Sequence, residues 1–103
     1  MRRAKKDRRS DARIIASSGN VFEDLGFDKA ESRAMAMRVE LMTELRARLV
    51  DEGITQTEAA QKLRVTQPRV SSLFRGDWKA FSLDMLVILA ARAGLKPKLR
   101  LDA

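Results

Sequence analysis

The chain has 103 residues, of which 45% are hydrophobic and 5% aromatic, and it carries a formal net charge of +7. One compact domain is expected, with a core built of Leu, Val, Met and Ala rather than of aromatic rings. Because the sequence contains neither cysteine nor histidine, disulfides, thiolate metal sites and the usual general base are excluded, and an enzyme is the least favoured class of protein.

The basic residues are unevenly distributed. Residues 1–13 carry seven Lys/Arg against two Asp, and residues 64–103 carry eight basic side chains against three acidic ones. Such an excess is typical of nucleic-acid binders, although ribosomal and membrane-surface proteins share it. No apolar run is long enough to span a membrane, and no apolar segment follows the basic N-terminus as in a secretory signal, so we expect a cytoplasmic protein.

Two regions are predicted along the chain: a basic flexible tail at residues 1–18 and a single domain at residues 19–103. The tail is either solvated or in contact with phosphates or another acidic partner. The domain opens with an apolar cluster interleaved with carboxylates. This pattern predicts a short structured segment that packs on the domain itself or on a partner. Its residues are Val21, Phe22, Glu23, Asp24, Leu25, Phe27 and Asp28.

A long helix is predicted over residues 28–52. Asp28 and Glu31 have the spacing of a capping box. Met35, Met42 and Leu49 recur every seven residues and give an apolar stripe of helical period. Gly53 is suited to end the helix in the left-handed conformation.

Two short helices joined by a tight turn are predicted next. Thr55 and Glu58 form a capping box for a helix over residues 56–63, in which Ala59 is small enough for a close helix crossing. Thr66 caps the following helix, and Pro68 is tolerated in its first turn. Apolar side chains of that helix face inward and leave a polar face outside, a layout that suits insertion of one helix into the major groove of DNA.

The C-terminal part predicts one more helix and a strand. Ser82 caps a helix that is apolar on nearly every side and therefore needs cover on more than one face, for which a second copy of the chain is one candidate. Residues 95–101 alternate between apolar and basic side chains, which predicts a short β-strand. Because Pro97 cannot donate to a ladder, the strand belongs at an edge or a dimer interface. The fold class is thus all-α, with four to five helices and one short C-terminal strand.

The side chains expected to reach bases are Gln67 and Arg69, since Gln pairs with adenine and Arg with guanine in bidentate fashion. Gln56, at the start of the supporting helix, is suited to a phosphate. We expect Trp78 to pack over the end of the second helix of the pair rather than to stack on a base. Further candidates for backbone contacts are Ser71, Ser72, Arg75 and Lys79.

The segment TQTEAAQKLRVTQPRVSSLFRG, residues 55–76, resembles the Cro/Xre helix-turn-helix family. Within it, QPRVS followed by RGDWKAFSLDML is similar to the HigA-like antitoxin group, and so is GNVFEDLGF at residues 19–27. The resemblance implies a bacterial antitoxin that neutralises a RelE/HigB-type ribonuclease toxin and represses its own operon as a dimer. Arg64 stands where the family commonly has glycine, so if that position needs a positive φ, either Arg64 is strained or the turn is altered. Family contacts carry over to Gln56, Thr66, Gln67, Arg69 and Ser71.

The predicted partners are double-stranded operator DNA, a small basic toxin and a second copy of the chain, with no cofactor and no metal. A stand-alone repressor without a toxin, and an interaction module that no longer reads DNA, remain alternatives. The toxin is expected to contact the acidic segment at Phe22, Glu23, Asp24, Phe27 and Asp28. The dimer interface is expected at Leu83, Leu86, Val87, Leu99 and Leu101.

Overall fold

The computed structural model describes residues 18–102, with side chains from residue 21 onward. The basic tail predicted for residues 1–18 therefore lies, apart from Ser18, outside the described residues. No helix in the described range is long and apolar enough to cross a membrane. The elements are α1 (Ser18–Asp24), α2 (Lys29–Glu52), α3 (Gln56–Leu63), α4 (Gln67–Arg75), a 3-10 helix (Trp78–Ala80) and α5 (Leu83–Arg92).

The chain divides into two compact units, residues 1–40 and 41–103, with the boundary inside α2. In the first unit, the ring of Phe22 meets that of Phe27 edge to face, with centroids 6.0 Å apart. The predicted capping box of α2 is confirmed. Asp28 accepts from the Glu31 amide at 2.7 Å, and Glu31 accepts from the Asp28 amide at 3.0 Å. The start of α2 is thus fixed by its own side chains.

The second unit has one apolar core to which every helix of that unit contributes. The heptad positions Met42 and Leu49 on α2 are both buried, as their spacing predicted. The 3-10 helix and the turn before α5 close the core, because Phe81 is buried there. The buried cluster consists of Met42, Leu45, Leu49, Ala59, Leu63, Val70, Leu73, Phe81, Leu86, Leu89 and Ala93.

Arginines hold the ends of two helices. Arg92 donates to the carbonyl of Leu63 at 2.9 Å, and Arg48 donates to that of Ala93 at 3.1 Å. Both carbonyls lie at helix C-termini, where a cation is favoured by the dipole. These two arginines therefore stabilise the fold.

Glu52, at the end of α2, pairs with one cation on α3 and with one on its own helix. It pairs with Lys62 at 2.7 Å and with Arg48 at 3.0 Å. The hydrogen bond from Lys62, reinforced by Arg48, holds the pKa of Glu52 below its usual value. Because the folded pKa is the lower one, this contribution to stability is present near neutral pH and is lost as the pH falls through that pKa.

The predicted C-terminal strand is wrong. Residues 95–102 have no strand, and the described part of the chain offers no other strand to pair with. The side chains of Leu99 and Leu101 are 78% and 84% exposed. Alternating apolar and basic side chains specify the two faces of a strand, but a β-ladder also needs the backbone of a second strand. In addition, Pro97 has no N–H group to donate to such a ladder.

Candidate nucleic-acid interface

Helices α3 and α4 each begin at a capped residue, as predicted. The Thr55 hydroxyl accepts from the Glu58 amide at 3.1 Å, while Glu58 accepts from the Thr55 amide at 2.8 Å. At the start of α4, Thr66 accepts from the Arg69 amide at 3.4 Å. Because the first amides of a helix have no partner inside it, these caps set where both helices begin.

The turn between α3 and α4 passes through a residue in the left-handed conformation. Arg64 has φ 61° and ψ 45°, and is the one non-glycine residue with positive φ among the described residues. The Arg64 amide bonds to the Gln61 carbonyl at 3.3 Å, and the Val65 amide to the Ala60 carbonyl at 3.0 Å. This is a Schellman ending, which normally places glycine where Arg64 stands. The strain predicted for Arg64 is therefore present.

Arg64→Gly is expected to raise the free energy of unfolding by about 0.5–1 kcal/mol, because glycine adopts positive φ without a β-carbon clash, although it also gains freedom in the unfolded chain. Thermal unfolding followed by circular dichroism measures the change. Arg64→Ala is the control, since it removes the same charge but keeps the β-carbon. A gain of equal size in both variants would show that charge, not backbone strain, is relieved.

Small and apolar side chains bring the two helices together. Ala59 on α3 is fully buried, as are Val70 and Leu73 on the inner face of α4. An alanine at the crossing lets the backbones approach closely. The polar residues of α4 are left on the opposite side.

Two side-chain hydrogen bonds join the first turn of α3 to the N-terminal half of α4. The Gln67 amide nitrogen donates to the Thr57 hydroxyl at 2.5 Å. The Ser71 hydroxyl donates to the Gln56 amide oxygen at 3.1 Å. Gln56, Thr57 and Gln67 are exposed, and Ser71 is half-buried. We call these four residues the polar face. Thr57 was missed by sequence reasoning, although its position two residues after the cap is a signal for an outward side chain.

The basic residues around this face differ in how they are held. Arg75 is exposed and donates to the hydroxyl of half-buried Ser72 at 3.1 Å, within its own helix. Lys79 is exposed, with its ammonium 5.6 Å from the centroid of the Trp78 ring. Trp78 itself is half-buried against the core. Both cations are thus placed where an anion can approach.

Arg69 is held in a different way from the other predicted DNA-binding residues. Its guanidinium donates to the Ala80 carbonyl at 2.9 Å and lies 5.3 Å from the centroid of the Phe81 ring. The residue is half-buried. Sequence reasoning missed this contact because it joins positions eleven residues apart.

Two residues of the other predicted sites lie inside the protein. Phe22, assigned to the acidic segment, is 5% exposed, whereas Glu23, Asp24 and Asp28 are exposed and Phe27 is half-buried. Among the predicted dimer residues, Leu86 is fully buried in the core. Leu83 is half-buried, and the exposed ones are Val87, Leu99 and Leu101.

Together, these elements define a DNA-binding protein of the helix-turn-helix class. They are a capped helix, a short turn through positive φ, and a second capped helix with a polar outer face. The sequence model described as a helix-turn-helix domain matches residues 21–101. The chain belongs to that family, whose members are typically not enzymes. A comparison with curated proteins found no match. No group of acidic side chains suited to a metal ion occurs in the described range.

Proposed function

We propose that the chain is the DNA-binding antitoxin of a type II toxin–antitoxin system. It represses its own operon and neutralises a small basic ribonuclease toxin of the RelE/HigB type. The observation that carries this proposal is the presence, in one basic chain, of a polar recognition helix and a separate exposed acidic segment. The similarity of residues 19–27 and 67–86 to HigA-like antitoxins supports it.

On the DNA side, the polar face is proposed to meet the major groove. Gln67 has two amide N–H groups and one oxygen, and Thr57 accepts one of those N–H groups. The second N–H and the oxygen are left for the N7 and N6 positions of adenine. Gln56 and Thr66 lie at helix N-termini that favour phosphate. The further phosphate contacts are assigned to Ser71, Ser72, Arg75 and Lys79.

Two copies of the chain are proposed to bind together. Val87 on α5 is 40% exposed, and Leu99 and Leu101 present further apolar surface. Leu83 is the half-buried member of this set, while Leu86 is left out because it lies in the core. A two-fold dimer places its recognition helices on half-sites ~34–36 Å apart. Duplexes selected from a random library would then contain two inverted half-sites, and a single half-site would contradict the dimer.

On the toxin side, the proposed contact is the acidic segment. Glu23, Asp24 and Asp28 are exposed in a chain of net charge +7. Phe27 adds a half-buried aromatic ring beside them. A surface of this sign attracts a basic protein and repels DNA, so the two partners would use different parts of the chain.

Reversing two charges tests the toxin contact. The double variant Glu23→Lys, Asp24→Lys is expected to weaken toxin binding by about 100-fold or more, because like charges brought together cost several kcal/mol. Co-expression with the product of the adjacent reading frame, read as growth rescue and co-purification, measures the effect. Operator binding should be unchanged.

The matched control reverses two exposed carboxylates on a different helix, α2, by Glu40→Lys and Asp51→Lys, and changes the net charge by the same amount. It should still rescue growth. If both double variants neutralise the toxin equally well, the acidic segment is not the contact.

A stand-alone repressor is the second candidate, because the polar face is sufficient for it. The adjacent reading frames discriminate the two functions. A neighbouring gene for a small basic protein that co-purifies with this chain supports the antitoxin, and the lack of such a neighbour supports the repressor.

A further inference from the structure

We propose that Arg69 is a positioning residue, which fixes the Trp78–Ala80 turn against α4 and thereby places Lys79, and that it does not read a base. This inference rests on the proposed DNA-binding function and departs from the role that the sequence suggested for Arg69.

Two separate contacts hold the Arg69 guanidinium against the protein. Its Nη1 atom donates to the Ala80 carbonyl at 2.9 Å. Its Cζ atom lies 5.3 Å from the ring centroid of Phe81, a core residue that is 2% exposed. A hydrogen bond and a cation–π contact on residues adjacent in sequence orient the guanidinium in one direction.

The Ala80 bond uses one N–H group of the guanidinium, so the placement of the group against Ala80 and Phe81, rather than a lack of donors, opposes a contact with guanine. A bidentate pair needs two N–H groups of the planar guanidinium directed at the O6 and N7 positions of one base. Turning the group outward would break its bond to a part-buried carbonyl and move the cation off the Phe81 ring. A partly buried carbonyl that loses its donor is unfavourable, so the bound complex is expected to keep the contacts of Arg69 with Ala80 and Phe81, which we call the clamp.

The turn that Arg69 holds has backbone hydrogen bonds and packs on the core, but no side chain caps its start. The 3-10 helix Trp78–Ala80 is preceded by Asp77, whose side chain makes no capping hydrogen bond. The helix carries exposed Lys79. A phosphate contact fixes the position of the protein along the duplex only when the contacting side chain lies at a fixed distance from the base-reading side chains. Arg69 supplies the link, because it joins the recognition helix to the carbonyl of the residue after Lys79.

Arg75 lies on the same helix and provides the comparison. It is exposed, and its hydrogen bond goes to Ser72 on its own helix. Among the described residues, no hydrogen bond or ion pair of Arg75 joins α4 to another element. Arg75→Met therefore removes the same charge as Arg69→Met without releasing the turn.

The first experiment measures base preference. Wild-type protein selects an operator from a randomised duplex library, and Arg69→Met is then measured on that operator and on its single base-pair variants. We expect Arg69→Met to weaken every duplex by the same factor and to leave the order of preference unchanged. Gln67→Ala, the positive control, should flatten preference at one base pair. If Arg69→Met flattens preference at a base pair, Arg69 reads that base and the proposal is wrong.

The second experiment tests whether Arg69 acts through Lys79. Lys79→Ala is expected to lower the salt slope of operator binding by about 1 for each bound copy of the chain, and so by about 2 for the proposed dimer, in the wild-type background. In the Arg69→Met background it should have little further effect, whereas in the Arg75→Met background it should have its full effect. Additive losses in both backgrounds would show that Arg69 does not place Lys79.

The third measurement needs no DNA. Trp78 is the one tryptophan of the chain, so its fluorescence reports on the turn. Arg69→Met should shift Trp78 emission to the red and increase quenching by acrylamide while far-ultraviolet circular dichroism stays constant. Arg69→Lys, which keeps a charge and a donor, should restore part of the protection, and it replaces the methionine variant if that one does not fold.

The outcomes separate the clamp from the proposed function. If the wild-type protein selects no duplex, DNA binding fails as the function, yet the fluorescence measurement still tests the clamp. If Trp78 emission is the same in Arg69→Met and wild type, the clamp is wrong even when operator binding is strong.

Discussion

Val70→Ala is expected to lower the free energy of unfolding by about 2–3 kcal/mol, since it removes two buried carbon atoms and leaves a cavity. Val70 lies on the inner face of α4 and is fully buried. For a domain of this length, such a loss corresponds to a fall in the melting temperature of roughly 10–20 °C. Thermal and urea unfolding, both followed by circular dichroism, measure the change.

The matched control is Val50→Ala, in which the same substitution is made at a helical residue that is 65% exposed. Alanine has a higher helix propensity than valine by a few tenths of a kcal/mol, and this gain applies at both positions. The difference between the two variants therefore reports burial alone. Equal stabilities for Val70→Ala and Val50→Ala would mean that α4 is not packed on the core as described.

The stability of α4 bears directly on function. A helix of nine residues is not stable by itself in water. Its shape as a recognition element is maintained by Val70 and Leu73 inside, by Thr66 at its start and by Gly76, with φ 78°, at its end. The polar face keeps its geometry only while this packing holds.

The sequence predicted the helix boundaries well because helix ends depend on neighbours in sequence. The capping residues Asp28, Thr55, Thr66 and Ser82 each act on an amide three positions away. Such a contact is visible as a spacing in the sequence. The possibility of a positive φ at Arg64 was raised by the resemblance to a family that commonly has glycine at this position, and the structure has φ 61° there.

The errors and the unforeseen contacts depend on partners far along the chain or outside it. The alternation of apolar and basic side chains at residues 95–101 carries no information on whether a second strand lies beside them. Leu86 and Val87 are equally apolar, so the sequence could not show that the first is buried and the second exposed. The contact of Arg69 with Ala80 joins two elements whose relative placement only the folded core determines.

Gln67→Ala is expected to weaken operator binding by about 1–3 kcal/mol, or roughly 5- to 150-fold, for each half-site, and to remove the preference for one base pair there. The reason is the geometry of its amide. The hydrogen bond to Thr57 at 2.5 Å orients the group before DNA arrives, so little side-chain freedom is lost on binding. Titration of the selected operator and its single base-pair variants, at fixed salt, measures both effects.

Two further variants separate base reading from general effects. Gln61→Ala alters another exposed glutamine, on α3, and should bind like the wild type. Thr57→Val leaves Gln67 in place but removes the acceptor that orients it, so it should weaken binding to a smaller extent and keep the same preferred base pair. If Thr57→Val reduces affinity as much as Gln67→Ala and also abolishes the preference, then Thr57 itself contacts the base. A Gln67→Ala variant that keeps both affinity and preference would leave α4 without a base-reading residue and would favour a helix-turn-helix that serves protein interaction instead.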